Sequence, residues 1–213
     1  MTLSGRTGKS LAALALLAAA FAASAQPRPG REFVRLDPPR PVSTGSRIEV
    51  IEFFYYGCPV CYETEPLLSR WLAAAPDDVA IRRVPAVSSE SWAPFARLFY
   101  TLAALGQIDR LHWPVYEGFQ LDDVKLNDER IMPDWAARNG VDRQRFVDAY
   151  RSPEVAARVE HARELIRAYD VSGVPTFVVD GRFVTSARLA GGTKQVIAVL
   201  DELVERARQE RGR

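Results

Sequence analysis

The sequence predicts a single α/β domain in which a block of helices interrupts a sheet. Three observations support this prediction. An apolar strand runs directly into a helix early in the chain, residues 88–168 show helical periodicity, and strand signals return only after that block. The 213 residues, 47% of them apolar, are enough for one domain with a sizeable core.

Residues 1–25 form a candidate secretory signal in front of this domain. Arg6 and Lys9 provide a basic start, residues 11–22 an apolar run, and residues 23–25 the small-x-small pattern that a signal peptidase cuts. The run is shorter than the ~20 residues that span a bilayer, although an uncut membrane anchor remains the alternative. We therefore predict cleavage after Ala25, a mature domain of residues 26–213, and export to a compartment where disulfides persist.

The first half of the mature chain has the pattern of two long strands around a helix. After a Pro-rich lead with a short strand near residues 32–36, residues 47–56 are almost continuously apolar, which is typical of a strand buried on both faces. Residues 59–75 predict a helix that begins at Pro59, because a proline in the first turn loses no hydrogen bond. Residues 79–87 then predict the second long strand.

The second half begins with the helical insertion over about residues 88–168, where large apolar residues recur at helical spacing in several segments. Residues 176–180 and 182–185 predict two strands, and the Asp-Gly dipeptide between them is a hairpin turn signal. An amphipathic helix over residues 193–208 closes the domain.

Charge and metal-ligating residues exclude several classes of function. Lys and Arg number 28 against 27 Asp and Glu, and a net charge of +1 provides no global field for nucleic acid or an anionic membrane. The sequence has two Cys and two His, but it has no second Cys pair and no His near the first, so it lacks the ligand spacing of a structural zinc site. We therefore expect no nucleic-acid partner and no metal site.

Cys58 and Cys61 are the strongest candidates for chemistry. They stand on either side of Pro59 and Val60, at the junction of a predicted strand and helix, where both sulfurs can lie within disulfide reach. The unpaired N–H groups of the helix N-terminus would favour a Cys58 thiolate, whereas Cys61, one turn further in, should keep its proton longer. This arrangement predicts redox chemistry.

Three other roles for the cysteine pair are weaker. A structural disulfide that closes so short a loop removes little chain entropy. Half of a metal site would need a second Cys pair or a nearby His, and the sequence has neither. A pair of reduced core thiols is unexpected in an oxidising compartment.

Glu52 and the Val174-Pro175 dipeptide are the next candidates. Glu52 lies inside the apolar strand with the same facing parity as Cys58, so burial should raise its pKa, and it is either a proton acceptor for Cys61 or a surface-facing strand residue. Val174-Pro175 precedes a predicted strand. Its functional interpretation is a cis bond beside the disulfide, with the Val174 backbone offered to an extended substrate, although most X–Pro bonds are trans.

The histidines and one arginine pair carry weaker signals. His112 and His161 lie on predicted helices, and we interpret both as surface or half-buried packing residues. Arg82 and Arg83 lie on a predicted strand, either as solvated charge or at the rim of the site.

Together these residues resemble the thioredoxin superfamily and, within it, the exported disulfide oxidases of the DsbA type. The resemblance rests on residues 50–54 leading into the Cys-Pro-Val-Cys motif, on the helical insertion, on residues 173–177 and on the closing helix after residues 191–192. It spans nearly all of the mature chain. It implies a thioredoxin fold with a helical insertion, a cis Pro175, and Glu52 as the buried acid.

The resemblance also implies a reaction and partners. The protein would use a Cys58–Cys61 disulfide to introduce disulfide bonds into reduced or unfolded exported proteins in the periplasm. A quinone-linked membrane partner of the DsbB type would reoxidise it. The protein would act as a monomer without a cofactor of its own.

Val60 departs from the usual motif of these oxidases, which has His at that position. An imidazole can stabilise the Cys58 thiolate and a valine cannot, so we expect a less depressed Cys58 pKa and a weaker oxidant. A disulfide reductase therefore remains an alternative, as does a thioredoxin-like chaperone that holds unfolded chains.

Overall fold

Five strands form one mixed sheet at the centre of the computed structural model, which describes residues 27–212. The strands are β1 (Val34–Arg35), β2 (Ile48–Phe54), β3 (Val79–Pro85), β4 (Thr176–Val179) and β5 (Phe183–Ser186). Their order across the sheet is β1-β5-β4-β2-β3; β2 and β3 are parallel, and the other neighbours are antiparallel. The predicted signal over residues 1–25 lies outside the described residues.

Eight α-helices and one 3-10 helix accompany the sheet in the described part of the chain. The helices are α1 (Pro59–Ala74), the 3-10 helix (Glu90–Trp92), α2 (Ala93–Ala104), α3 (Ile108–Gln120), α4 (Met132–Arg138), α5 (Arg143–Tyr150), α6 (Pro153–Ala168), α7 (Ala187–Ala190) and α8 (Thr193–Glu210). Helices α2 to α6 all lie between β3 and β4 in the chain. The predicted α/β class with a helical insertion is thus confirmed.

Strand β2 is buried on both faces, as its apolar sequence predicts. On one face Ile51 and Phe53 belong to the core shared with the helical insertion. On the other face Ile48 and Val50 belong to the core under α8 and α1. Because side chains alternate along a strand, β2 connects the two cores, and the residues that follow its C-terminal end are fixed in position.

The connections around β4 and β5 shape the other side of the site. Asp180 and Gly181 both have positive φ, 55° and 62°, and form the tight hairpin turn that their sequence predicts. The Val174-Pro175 peptide bond before β4 is cis, and so is Asp37-Pro38 near the start of the chain. Helix α7 is absent from the predicted order of elements; it begins with the Ser186 hydroxyl accepting from the Leu189 N–H. Among residues 27–212, no helix is long and apolar enough to cross a membrane.

Candidate active site

The two cysteines occupy the first turn of α1. Cys58 is the N-cap residue, and its half-buried sulfur accepts a hydrogen bond from the backbone N–H of Cys61, 3.4 Å away. The side chain of Cys61 is fully buried. Both residues are free thiols, so the structure describes the dithiol form of the pair.

The first turn of α1 lowers the pKa of Cys58 to about 6. The largest cause is a hydrogen bond from the Cys61 thiol, and the backbone N–H groups of Cys61 and Val60 add to it, as expected at a helix N-terminus. Partial burial and the Glu63 carboxylate oppose this effect. Cys58 is therefore mostly thiolate at neutral pH, which makes it both a reactive nucleophile and a good leaving group.

Cys61 has the opposite electrostatic character. Burial raises the pKa of the Cys61 thiol well above its ordinary value, and the hydrogen bond and charge of Cys58 raise it further. The charge of Glu52 acts in the same direction. At neutral pH the pair therefore consists of one accessible thiolate and one buried thiol.

The loop before β4 lies against the Cys58 sulfur. The Cys58 Sγ is 3.5 Å from the carbonyl oxygen of Val174, to which it donates when protonated, and the cis bond to the buried Pro175 follows directly. The Thr176 hydroxyl donates to the Gly173 carbonyl at 2.7 Å and so closes the loop. The structure therefore brings together the two motifs that are more than a hundred residues apart in the sequence.

Glu52 is a fully buried acid on β2, and the surface-facing alternative is wrong. In the sheet register it lies between Arg83 of β3 and Phe177 of β4. Its Oε2 accepts from the Arg83 Nε at 3.1 Å, whereas its Oε1 has no hydrogen-bond partner in the described part of the chain. Burial first, and the Glu65 carboxylate second, raise the pKa of Glu52 to about 8 against the charge of Arg83.

Arg83 and Glu65 belong to the same buried group; Arg83 thus lies at the site rather than as solvated charge, and Glu65 is a member that was not predicted. Arg83 Nη2 donates to Glu65 Oε1 at 2.7 Å, so one guanidinium contacts both carboxylates. Glu65 follows Cys61 by four residues on α1 and therefore shares its helix face. That four-residue spacing was the one signal in the sequence that could have placed Glu65 near the cysteine pair. The pairing with Arg83 depends on the parallel register of β2 and β3, which a single sequence does not reveal.

His112 is a third unanticipated member, and the expectation that it is a surface or half-buried residue is wrong. It is only 6% exposed on α3, its Nδ1 lies 2.8 Å from the Tyr56 Oη, and its Nε2 lies 3.4 Å from the Glu65 Oε2. The reason is tertiary: α3 packs its His112 face against the end of β2 and against α1. His161 is exposed on α6, as expected.

An open groove of about 510 Å³ runs between the first turns of α1 and the cis-proline loop. Val60 and Glu63 of α1 form one side, Val174 and Pro175 form another, and Arg188 of α7 lies at its border. Val60 is 39% exposed, which is high for a large apolar side chain in this chain. The groove can therefore accept an extended segment of another chain next to Cys58.

These features define a class of protein. A reactive thiol at a helix N-terminus, a buried partner thiol three residues later and a cis-proline loop against the sulfur, all held on this mixed sheet, make a thiol–disulfide oxidoreductase of the thioredoxin fold.

Comparison with known proteins gives the family. Residues 82–196 match the family model described as the DSBA-like thioredoxin domain. The chain is 38% identical to the thiol:disulfide interchange protein DsbA of Azotobacter vinelandii over 179 residues, which cover 84% of each chain. It is also 38% identical to that of Bordetella pertussis over 201 residues, 93% of this chain and 96% of the relative.

Solved structures agree with the sequence relatives. The crystal structure of Pseudomonas aeruginosa DsbA superposes with a TM-score of 0.82 at 36% identity, over 86% of this chain and 96% of that one. The oxidoreductase DsbA1 of Neisseria meningitidis gives a TM-score of 0.76 at 26% identity, over 87% and 96%. The chain belongs to the DsbA family of thiol:disulfide interchange proteins.

Proposed function

We propose that the Cys58–Cys61 pair of this oxidoreductase introduces disulfide bonds into reduced exported proteins. The difference between the two thiols carries the proposal: the pKa of Cys58 is lowered to about 6, while that of Cys61 is raised well above its usual value. A stabilised Cys58 thiolate favours the dithiol form of the protein over its disulfide. The protein's own disulfide is therefore easily donated to a substrate.

The reaction proceeds by two exchanges at Cys58. A substrate thiolate attacks the Cys58 sulfur, breaks the Cys58–Cys61 bond and displaces Cys61, which leaves as a thiolate and takes up a proton. A second substrate thiol loses its proton and attacks the substrate sulfur of the mixed disulfide, so that Cys58 leaves as a thiolate. The substrate gives up two electrons and gains a disulfide, and the protein accepts both electrons.

Glu52 moves the proton that this exchange requires at Cys61. A buried Cys61 thiolate is costly, so a carboxyl with a pKa of about 8 can donate a proton to it when it leaves. When the pair is reoxidised, the Glu52 carboxylate accepts the proton of the Cys61 thiol. Because its pKa is near neutral, Glu52 can both donate a proton to Cys61 and accept one from it.

Val174 and Pro175 bind the substrate, and Val60 of the Cys-Pro-Val-Cys motif lines the same groove. The Val174 carbonyl lies 3.5 Å from the Cys58 sulfur, so a substrate segment joined to Cys58 runs alongside the loop in the groove. Backbone groups and one apolar side chain discriminate little between substrate sequences, which suits an enzyme with many protein substrates.

The cellular setting follows from the family and the predicted signal. The chain is exported to the periplasm and its signal is cleaved after Ala25. Residues 26–213 then form the mature thioredoxin-like domain, with its insertion over about residues 88–168. A quinone-linked membrane partner of the DsbB type accepts the two electrons of the dithiol. The protein acts as a monomer, as the family resemblance implies.

A disulfide reductase is the second candidate, and Val60 is the observation that favours it. The exposed valine adds no positive charge beside the Cys58 thiolate, so the reduced form gains less stabilisation than an imidazolium would provide. The reduction potential, measured by equilibration with glutathione, separates the candidates, because an oxidase has a much less negative potential than a reductase.

The direct test of the oxidase uses a reduced, unfolded substrate protein and the oxidised enzyme. We expect the native chain to form substrate disulfides, Cys58→Ser to lose all activity, and Cys61→Ser to accumulate a mixed disulfide through Cys58. A Cys58→Ser variant that still prevents substrate aggregation while the native chain oxidises nothing would instead identify a chaperone.

A further inference from the structure

His112 is a buried titratable residue to which the proposed exchange assigns no role. It lies on α3 in a shell of aromatic rings, with Phe54, Phe99 and Tyr116 in edge-on contact at 5.1 to 6.0 Å between ring centroids. A side chain that only filled this space would be apolar. The two ring nitrogens instead point at the polar groups of Tyr56 and Glu65.

The contacts of His112 indicate which nitrogen carries the proton. Burial raises the pKa of the Tyr56 phenol well above its ordinary value, so the phenol keeps its proton, and His112 Nδ1 is its hydrogen-bond partner at 2.8 Å. Burial also lowers the pKa of His112, which makes the imidazole neutral at neutral pH. With Nδ1 accepting from Tyr56, the imidazole proton resides on Nε2, which faces the Glu65 Oε2 at 3.4 Å.

Glu52 and Glu65, the two buried carboxyl groups near His112, have too little positive charge around them for both to be ionised. Arg83 on β3 is the cation that contacts both Glu52 on β2 and Glu65 on α1. One guanidinium against two buried carboxylates leaves one carboxylate uncompensated, so near neutral pH the pair retains a proton. Asp109 and Tyr116, both on α3, are further titratable groups near His112.

Hydrogen bonds decide which carboxyl holds that proton. Glu65 accepts from Arg83 and from the Ser69 hydroxyl, each at 2.7 Å, and its second oxygen faces His112. Glu52 accepts from Arg83 alone, and its Oε1, like the Glu65 Oε2 that faces His112 at 3.4 Å, has no hydrogen-bond partner in the described part. The carboxylate that accepts more hydrogen bonds is the one that stays ionised, and here that is Glu65.

We propose that His112 is a positioning residue of the redox site: its Nε2–H, which faces the Glu65 Oε2 at 3.4 Å, keeps Glu65 ionised and thereby holds the shared proton on Glu52. Tyr56 supports this role, since its hydroxyl fixes the imidazole tautomer. The inference rests on the proposed role of Glu52 in moving the Cys61 proton. It adds that an imidazole on another helix determines when Glu52 is able to do so.

Replacing the imidazole should move the proton from Glu52 toward Glu65. In His112→Phe, which preserves the aromatic packing, Glu65 loses a donor and becomes the stronger competitor for the proton. Glu52 then lies next to an uncharged Glu65, and Arg83 no longer shares its charge between two carboxylates. The titration midpoint of Glu52 therefore falls. In His112→Gln the side-chain amide can still donate to Glu65, so this variant should restore the native behaviour.

The experiment follows the side-chain carboxyl resonances of the reduced protein by ¹³C NMR over a pH titration, with Glu52 assigned by its loss in Glu52→Gln. We expect His112→Phe to lower the Glu52 midpoint by about one pH unit or more, His112→Gln to lie close to the native protein, and the exposed-residue control His161→Gln to match it. The pH profile of the step in which Cys61 displaces a partner from Cys58 should shift in parallel.

A folded His112→Phe whose Glu52 titrates as in the native chain overturns the proposal. If His112→Phe does not fold, Tyr56→Phe replaces it; a Glu52 midpoint lowered by the loss of that single hydroxyl supports the proposal, and an unchanged one overturns it. The carboxyl titration is measured without any substrate. A failure of the oxidase assay therefore stays distinguishable from a failure of this inference.

Discussion

The backbone N–H of Cys61 donates a hydrogen bond to the Cys58 sulfur across 3.4 Å. Together with the Cys61 thiol and the Val60 N–H, it is among the causes that lower the pKa of Cys58 to about 6. All three are dipoles of the first helical turn, and none is a charged side chain. A cation placed beside this turn should therefore lower the pKa further.

Val60→His provides that cation. Residue 60 is 39% exposed and adjacent to the helix terminus, so a protonated imidazole there should lower the pKa of Cys58 by about one unit. The reduction potential should become less negative in consequence. Thiolate absorbance in the ultraviolet, followed over pH, measures the effect. Val60→Phe is the control of similar shape without charge, and identical titrations for Val60→His and the native chain would refute the prediction.

Removing the Cys61 thiol should raise the pKa of Cys58, because the hydrogen bond from that thiol is the largest lowering cause. We expect the alkylation rate of Cys58 to reach half its maximum near pH 6 in the native dithiol form and at a clearly higher pH in Cys61→Ala. Cys61→Ser keeps a hydroxyl donor and should resemble the native protein. Equal midpoints for Cys61→Ala and Cys61→Ser would show that the backbone alone sets the thiolate.

Much of the architecture was predictable because it depends on local patterns. The continuous apolarity of residues 47–56 indicated a strand buried on both faces, and β2 is that strand. The Asp-Gly dipeptide indicated the turn between β4 and β5. The position of the cysteines at a strand–helix junction likewise follows from Gly57 and Pro59. Each of these signals operates within a few residues of chain.

The buried polar group was only partly predictable, since its contacts connect distant segments. Glu52 stood out because a carboxylate is unusual within an apolar strand. Arg83 reaches Glu52 only through the register of two parallel strands, and His112 meets Glu65 only because α3 packs against α1. In the sequence, Arg83 resembles an ordinary charged residue on a strand, and His112 resembles an ordinary polar residue on a helix. Pattern and spacing carry no information about such pairings.

Gly181→Ala should destabilise the fold by about 3 kcal/mol. Gly181 has a φ of 62°, and an added Cβ would lie 2.1 Å from the backbone oxygen of Arg40, so both the turn and the segment packed on it would have to move. Gly140→Ala is the matched control. Its φ is 75° but no atom lies within 4 Å of the added Cβ, so only the backbone cost of about 1 kcal/mol applies. Urea unfolding measures both, and similar losses would disprove the steric argument.

Glu52→Gln should make the protein progressively more stable than the native chain as pH rises from about 4.5 to about 8. Burial raises the pKa of Glu52 from 4.5 to about 8, so across this window the unfolded chain has lost a proton that the folded chain retains. Stability therefore falls with rising pH, by an amount on the order of a few kcal/mol at the upper end. A glutamine bears no such proton and still offers an oxygen to Arg83. Urea unfolding of the dithiol form at several pH values gives the difference between the two chains. A difference that stays constant across the window would mean that Glu52 is already ionised in the folded protein, and would remove it as the proton donor for Cys61.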